Sequence, residues 1–118
     1  MRYVFLAYGD QKQLDALSAS ERDALGSERL ANQEVLRRNG HLLAAQDLQG
    51  DGAVTTVRVH NGKVSIANGP FAEANERLIR IFTIDARDLN EAIRVASKMP
   101  EARGGPIEVR PLLDFDQQ

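Results

Sequence analysis

The chain has 118 residues, of which 42% are hydrophobic and 5% aromatic, the size and composition of one domain built around one core. Its 15 basic and 17 acidic residues leave a formal net charge of −2 and form no basic run, which argues against nucleic acid as a direct partner, since phosphate neutralisation needs clustered Lys and Arg. The absence of cysteine excludes disulfides, thiolate nucleophiles, iron-sulfur clusters and thiolate zinc sites. The opening apolar run is too short for a signal core and no stretch approaches the ~20 apolar residues of a membrane span, so a cytoplasmic protein with no membrane partner is expected.

Residues 2–8 are apolar on both faces, with Tyr3, Phe5 and Ala7 on one side and Val4, Leu6 and Tyr8 on the other. That pattern predicts a strand covered on both sides, ended by Gly9-Asp10. A polar loop with at most one helical turn near Leu14 and Leu17 leads to Ser18, which with Glu21 forms a capping-box pattern opening a helix that stops at Asn39-Gly40. Its stripe is imperfect. Ala24, Leu25, Ala31, Val35 and Leu36 share a side with Glu28 and Asn32, so either the helix is only partly buried or those two polar groups face a cavity.

His41–Leu48 reads as a second strand, followed by the Gly50-Asp51-Gly52 turn. Runs 54–60 and 63–67 are rich in β-formers and separated by Asn61-Gly62, a strong signal for a hairpin with a type I′ turn. Asn68-Gly69-Pro70-Phe71 then forms a rigid bend that leaves Phe71 as an apolar anchor. Residues 78–84 predict another central strand, with Leu78, Phe82 and Ile84 on the side of Arg80 and Ile79 and Ile81 opposite. Asp88 and Glu91 complete a second capping box, opening a helix with Leu89, Ala92, Ile93, Ala96 and Met99 on its apolar face and Pro100 at its end. A last strand follows over 106–112, and the tail from Asp114 is expected to fray.

The order strand, helix, strand, hairpin, strand, helix, strand is that of an α+β, ferredoxin-like βαβ(ββ)βαβ sandwich: an antiparallel sheet with two helices on one face. Helices on one face leave the other apolar face without cover. A homodimer packing sheet against sheet, a dimeric α+β barrel, would supply it.

Few residues point to chemistry. His41 and His60 are the only imidazoles and lack metal-binding spacing, Gly104-Gly105 lacks the context of a nucleotide cradle, and no metal or cofactor is expected. His41 and His60 read first as surface residues, with proton transfer the sharper reading for His41. Arg80 stands among apolar neighbours, where an unpaired guanidinium is costly. It should meet a carboxylate such as Glu108 or Glu28, reach a cavity or snorkel to an edge. Tyr8, at a strand end beside a turn, is the better placed tyrosine for a pocket on the dimer side.

Several stretches in order, Asn68-Gly69-Pro70-Phe71-Ala72-Glu73, Ile84-Asp85-Ala86-Arg87-Asp88-Leu89, Ala102-Arg103-Gly104-Gly105 and Ile107-Glu108-Val109-Arg110-Pro111, resemble the YCII-related proteins of the DGPF type over nearly the whole chain. The resemblance implies a ferredoxin-like domain that dimerises into an α+β barrel, with no settled activity. Asn68 stands where the family motif has Asp, Gln46 where relatives often carry Glu, and Ile79-Arg80 where they usually have glycines. These changes weaken an inherited acid-base role and keep hydrogen-bonding capacity. The reading is therefore a dimeric small-molecule-binding or accessory protein for a small organic acid. Its pocket is expected between the sheet face and the 68–71 turn, lined by Tyr8, Gln46, Asn68, Phe71 and Arg80. The alternative is a cofactor-independent isomerase, lyase or oxygenase-like enzyme with His41 or Glu73 as proton carrier.

Overall fold

The computed structural model describes residues 1–71 and 76–113. Glu73 and the tail from Asp114 lie outside them. Strand β1 (Arg2–Asp10) leads through a short helix α1 (Gln11–Asp15) into the long helix α2 (Ala19–Arg38) and strand β2 (Leu42–Asp47). The hairpin strands β3 (Thr55–His60) and β4 (Lys63–Asn68) precede β5 (Glu76–Asp85), helices α3 (Leu89–Ser97) and α4 (Glu101–Gly104), and β6 (Ile107–Pro111). The main sheet has the order β2-β5-β1-β6 and is antiparallel at each pairing. With its helices on one face, this is the ferredoxin-like α+β fold expected from the element order.

Local chemistry fixes the element ends. Ser18 Oγ accepts from the Glu21 amide at 3.1 Å while the Glu21 carboxylate accepts from the Ser18 amide at 3.0 Å, a reciprocal cap that satisfies two N-terminal donors of α2. Asp88 caps α3 by accepting from the Glu91 amide at 2.8 Å. The Glu91 carboxylate does not close the box. It turns to Arg87, accepting from that residue's amide and from its guanidinium. In the hairpin turn Asn61 and Gly62 have φ of 51° and 77°, the positive pair that a type I′ turn requires.

Packing is concentrated on the helix side. Tyr3, Phe5 and Ala7 of β1 join Phe82 and Ile84 of β5, and Ala92, Val95, Ala96 and Met99 from the α3 segment cover them. Phe5, Phe82 and Ile84 are fully buried, each worth about 1.5–3 kcal/mol in apolar transfer. The α3 face is rotated from the stripe read in the sequence: Val95 is buried, while Leu89 and Ile93 are about half exposed at 50% and 49%. On the opposite sheet face Val4, Leu6, Leu78 and Ile81 are half-buried. The β3–β4 hairpin forms its own two-stranded sheet, and Val57, Val59, Val64 and Ile66 on one of its faces are 60–68% exposed. No described helix is long and apolar enough to cross a membrane.

Candidate functional site

A local irregularity in the central strands opens a cleft. In the β1–β5 ladder Ala7 opposes Arg80 and Tyr8 opposes Leu78, so Ile79 is an extra residue, a β-bulge of the kind that re-aims side chains. Simple alternation places Ile79 with Ile81, away from the helices. The bulge turns it inward instead, and a Cβ placed on Gly9 would meet Ile79 Cδ1 at 3.1 Å and Leu14 Cδ1 at 3.8 Å. Leu78 correspondingly shares the face of Tyr8, not that of Arg80. The missing side chain of Gly9 leaves room where β1 runs into α1.

Above this point lies an unexpected face of α2. Leu25, Arg29, Asn32 and Leu36, at intervals of four, three and four along the sequence, are buried or half-buried, as are the adjacent Gly26 and Gln33, whereas Ala24, Ala31 and Val35 are exposed. Arg29 Nε and Asn32 Oδ1 are buried with no hydrogen-bond partner. Of the two polar groups that could have faced a cavity, Asn32 turns inward. Glu28 turns out and accepts from Arg103 Nη2 at 2.6 Å.

Two cavities meet at Arg29. One, of about 220 Å³, is walled by Leu14, Leu17, Leu25, Ile79 and Pro100, with Asp10, Gln13, Arg29, Glu101 and Arg103 as the polar residues of its lining. The other, of about 230 Å³, is bordered by Gln11, Asp47, Arg77 and Arg80, and it shares Leu14, Arg29 and Ile79 with the first. They form one cleft with an apolar end and a polar, guanidinium-rich end. An apolar cavity of ~150 Å³ suffices to hold benzene, so the apolar end can take a six-membered ring or a branched chain.

The charges are unevenly satisfied. Arg80 donates from Nε to Asp47 Oδ1 at 2.9 Å, which answers the demand for a carboxylate and also places Arg80 on a cavity wall. Its partner is neither Glu108 nor Glu28. Burial, and then the nearby Arg80 charge, push the Arg29 guanidinium below its ordinary pKa, opposed by Glu101, Asp47 and Glu28. Glu101 is only 4% exposed, and both its carboxylate oxygens lack a hydrogen-bond partner. Such groups are expensive when buried and unpaired.

The structure places the residues singled out from sequence on several elements. Gln46 opposes Ile81, and Tyr8 opposes Leu78, so both lie on the open sheet face. The Tyr8 hydroxyl donates to Glu108, whose Oε2 also accepts from Arg110 Nε at 2.9 Å and Nη2 at 2.7 Å. This acceptor raises the Tyr8 pKa above its ordinary 10.0, and the two donors lower that of Glu108. Asn68 ends β4 opposite Thr55, and exposed Phe71 lies under Arg58, whose Cζ is 4.4 Å from the ring centroid. Of the five, Arg80 reaches the cleft, and neither cavity is lined by the others. His41 Nδ1 lies 2.9 Å from the Asp85 carbonyl oxygen, at the far end of the sheet. With a rise of ~3.3 Å per residue it stands roughly 20 Å from the cleft, too far to move a proton there. Among the described residues no group of three or more His, Asp or Glu converges as a metal site would require.

Comparison with known proteins agrees with this architecture. The sequence pattern of the YCII-related domain matches residues 1–116. An uncharacterised protein, R00369 of Rhizobium meliloti (strain 1021), is 32% identical over 114 residues, covering 95% of this chain and 92% of that protein. Among solved structures, 5-chloro-2-hydroxyhydroquinone dehydrochlorinase (TftG) from Burkholderia phenoliruptrix AC1100, in complex with 2,5-dihydroxybenzoquinone, superposes with a TM-score of 0.59 over 99% of this chain and 98% of its own. At 10% identity that likeness speaks to the fold.

Proposed function

The chain belongs to the YCII-related domain family, and from that premise we propose that it is a small-molecule-binding protein of the DGPF type, with a small organic acid as ligand and the cleft beneath α1, α2 and α4 as its site. One observation carries the reading: Arg29, with a buried and unpaired Nε, stands where an apolar cavity meets a polar one. A guanidinium presents a planar fork of donors that matches a carboxylate, and a partly desolvated setting strengthens that pairing. Arg80, already held by Asp47, adds positive potential beside it. The TftG dehydrochlorinase, of similar fold, was solved with a small oxygenated ring compound, in keeping with a site of this size.

The working unit in this reading is a homodimer joined through the open sheet face. Val4, Leu6, Leu78 and Ile81 present an apolar surface there, and the hairpin exposes Val57, Val59, Val64 and Ile66. A lone two-stranded hairpin is marginal in water, so a second copy that covers it stabilises both elements. The absence of cysteine suits a reducing cytoplasmic compartment.

Titration calorimetry with benzoate, cyclohexanecarboxylate and their uncharged amides tests the site. The acids are expected to bind and the amides to bind at least about tenfold more weakly, the difference expected for one charge-assisted contact. Arg29→Met should erase that preference. Equal binding of acid and amide, or unchanged binding by Arg29→Met, would refute it.

A further inference from the structure

The ligand of the cleft has a second polar group. We infer that it is a bifunctional acid, with a carboxylate for Arg29 and a hydroxyl or ammonium donor for Glu101. The inference rests on the cleft being a ligand site, and it is carried by a different residue. Glu101 is 4% exposed, lines the apolar cavity, and has no hydrogen-bond donor on either carboxylate oxygen. Its cationic neighbours do not supply one. Arg103, whose charge it feels, gives Nη2 to Glu28 at 2.6 Å, and Arg29 leaves its Nε unpaired.

Four kinds of occupant can be compared on chemistry alone. A hydrocarbon fills the space walled by Leu14, Leu17, Leu25 and Ile79 but leaves Arg29 Nε and both Glu101 carboxylate oxygens without a hydrogen bond. A plain carboxylate pairs Arg29 and adds a second anion near Glu101. A plain alcohol or amine serves Glu101 and leaves Arg29 unpaired, and a cation adds repulsion with Arg29. An acid that also carries a donor satisfies both groups at once. Because a buried acceptor left unmatched is penalised far more than a matched one is rewarded, the site discriminates by what the ligand lacks.

Hydroxy acids and amino acids share this chemistry, and a matched panel on one ring separates them. The panel is benzoate, phenol, benzylamine, the three hydroxybenzoates and the three aminomethylbenzoates, titrated into wild-type protein and into Glu101→Leu, with circular dichroism confirming the fold. At least one donor-bearing acid is expected to bind about tenfold or more tightly than benzoate, phenol and benzylamine, the worth of a hydrogen bond to a charged group. Selectivity for hydroxybenzoates identifies a hydroxy acid, and selectivity for aminomethylbenzoates an amino acid. In Glu101→Leu that advantage should vanish, and benzoate, freed from the neighbouring anion, should bind more tightly than to wild type. If benzoate binds as well as every donor-bearing acid, or if Glu101→Leu keeps the advantage, the inference is overturned and the acid site stands. If no acid binds, both fall. The comparison within wild-type protein decides the matter even if Glu101→Leu does not fold.

Discussion

Arg29→Met should stabilise the unliganded protein while disabling it. Methionine retains an unbranched stem of similar reach, so packing against Leu25 and Ile79 changes little, and the change acts on the guanidinium alone. Leaving a buried donor such as Arg29 Nε unpaired costs about 1–3 kcal/mol. Its charge is also disfavoured by burial and by Arg80, with Glu101, Asp47 and Glu28 in opposition. The side chain is only partly buried, so solvent screening trims both effects, and the net gain on removal should be about 1 kcal/mol. For a domain of this size that is an increase in melting temperature of roughly 3–5 °C. Urea unfolding of both proteins measures it, with the slope of the transition expected to be unchanged. A loss of about 1 kcal/mol or more would show that the guanidinium is structurally paired, and the argument for a waiting ligand contact would fail.

Other consequences follow from the same geometry. A Cβ on Gly105 would collide with the Tyr8 carbonyl oxygen and lie 3.4 Å from Gly9 Cα, so Gly105→Ala should destabilise by about 1–3 kcal/mol in denaturant melts through backbone displacement. The Tyr8 pKa is raised by Glu108, so the folded state binds that phenolic proton more tightly than the unfolded chain. Its contribution to stability is complete below the ordinary pKa of 10.0 and is lost as pH rises through the folded value. In Glu108→Gln part of the tyrosinate absorbance should appear at lower pH than in wild type, and an unchanged titration would remove the Tyr8–Glu108 bond from the account. Glu108 behaves in the opposite sense. Its depressed folded pKa contributes stability above the ordinary 4.5 that is lost as pH falls through the folded value, so acid unfolding should be shallower in Glu108→Gln. Ile81→Lys, on the open sheet face, should sediment as a monomer at a concentration where wild type is a dimer. Wild type running as a monomer would refute the proposed assembly.

The fold was legible because its signals are local. The Asn61-Gly62 turn, the Ser18 and Asp88 caps and the apolar runs of β1 and β5 each follow from a few neighbouring residues, and together they specify the element order. Of the residues bordering the proposed cleft, Arg80 was the one legible as a pocket candidate. Alternation along residues 78–84 cannot reveal the bulge at Ile79, because a bulge is a property of two paired strands and reverses the face of what precedes it. The α2 stripe misled for a related reason. Following apolar residues alone selects Ala24, Ala31 and Val35, whereas the buried face runs through Arg29 and Asn32, polar groups that a rule built on hydrophobicity assigns to solvent. The spacing of Leu25, Arg29, Asn32 and Leu36 was the available signal. Glu101, buried after Pro100 in a four-residue helix, left no such pattern. Tyr8 and Gln46 share the open sheet face because both their strands pair with β5, and Asn68 ends a hairpin whose position relative to them no local rule supplies.

Amide chemical-shift mapping by NMR during a benzoate titration tests the cleft most directly. The shifts are expected to concentrate at Gly9, Leu14, Leu25, Arg29, Ile79 and Gly104 and to disappear in Arg29→Met. Shifts centred instead on Tyr8, Gln46, Asn68 and Phe71 would contradict that expectation and return the site to the open face and the hairpin.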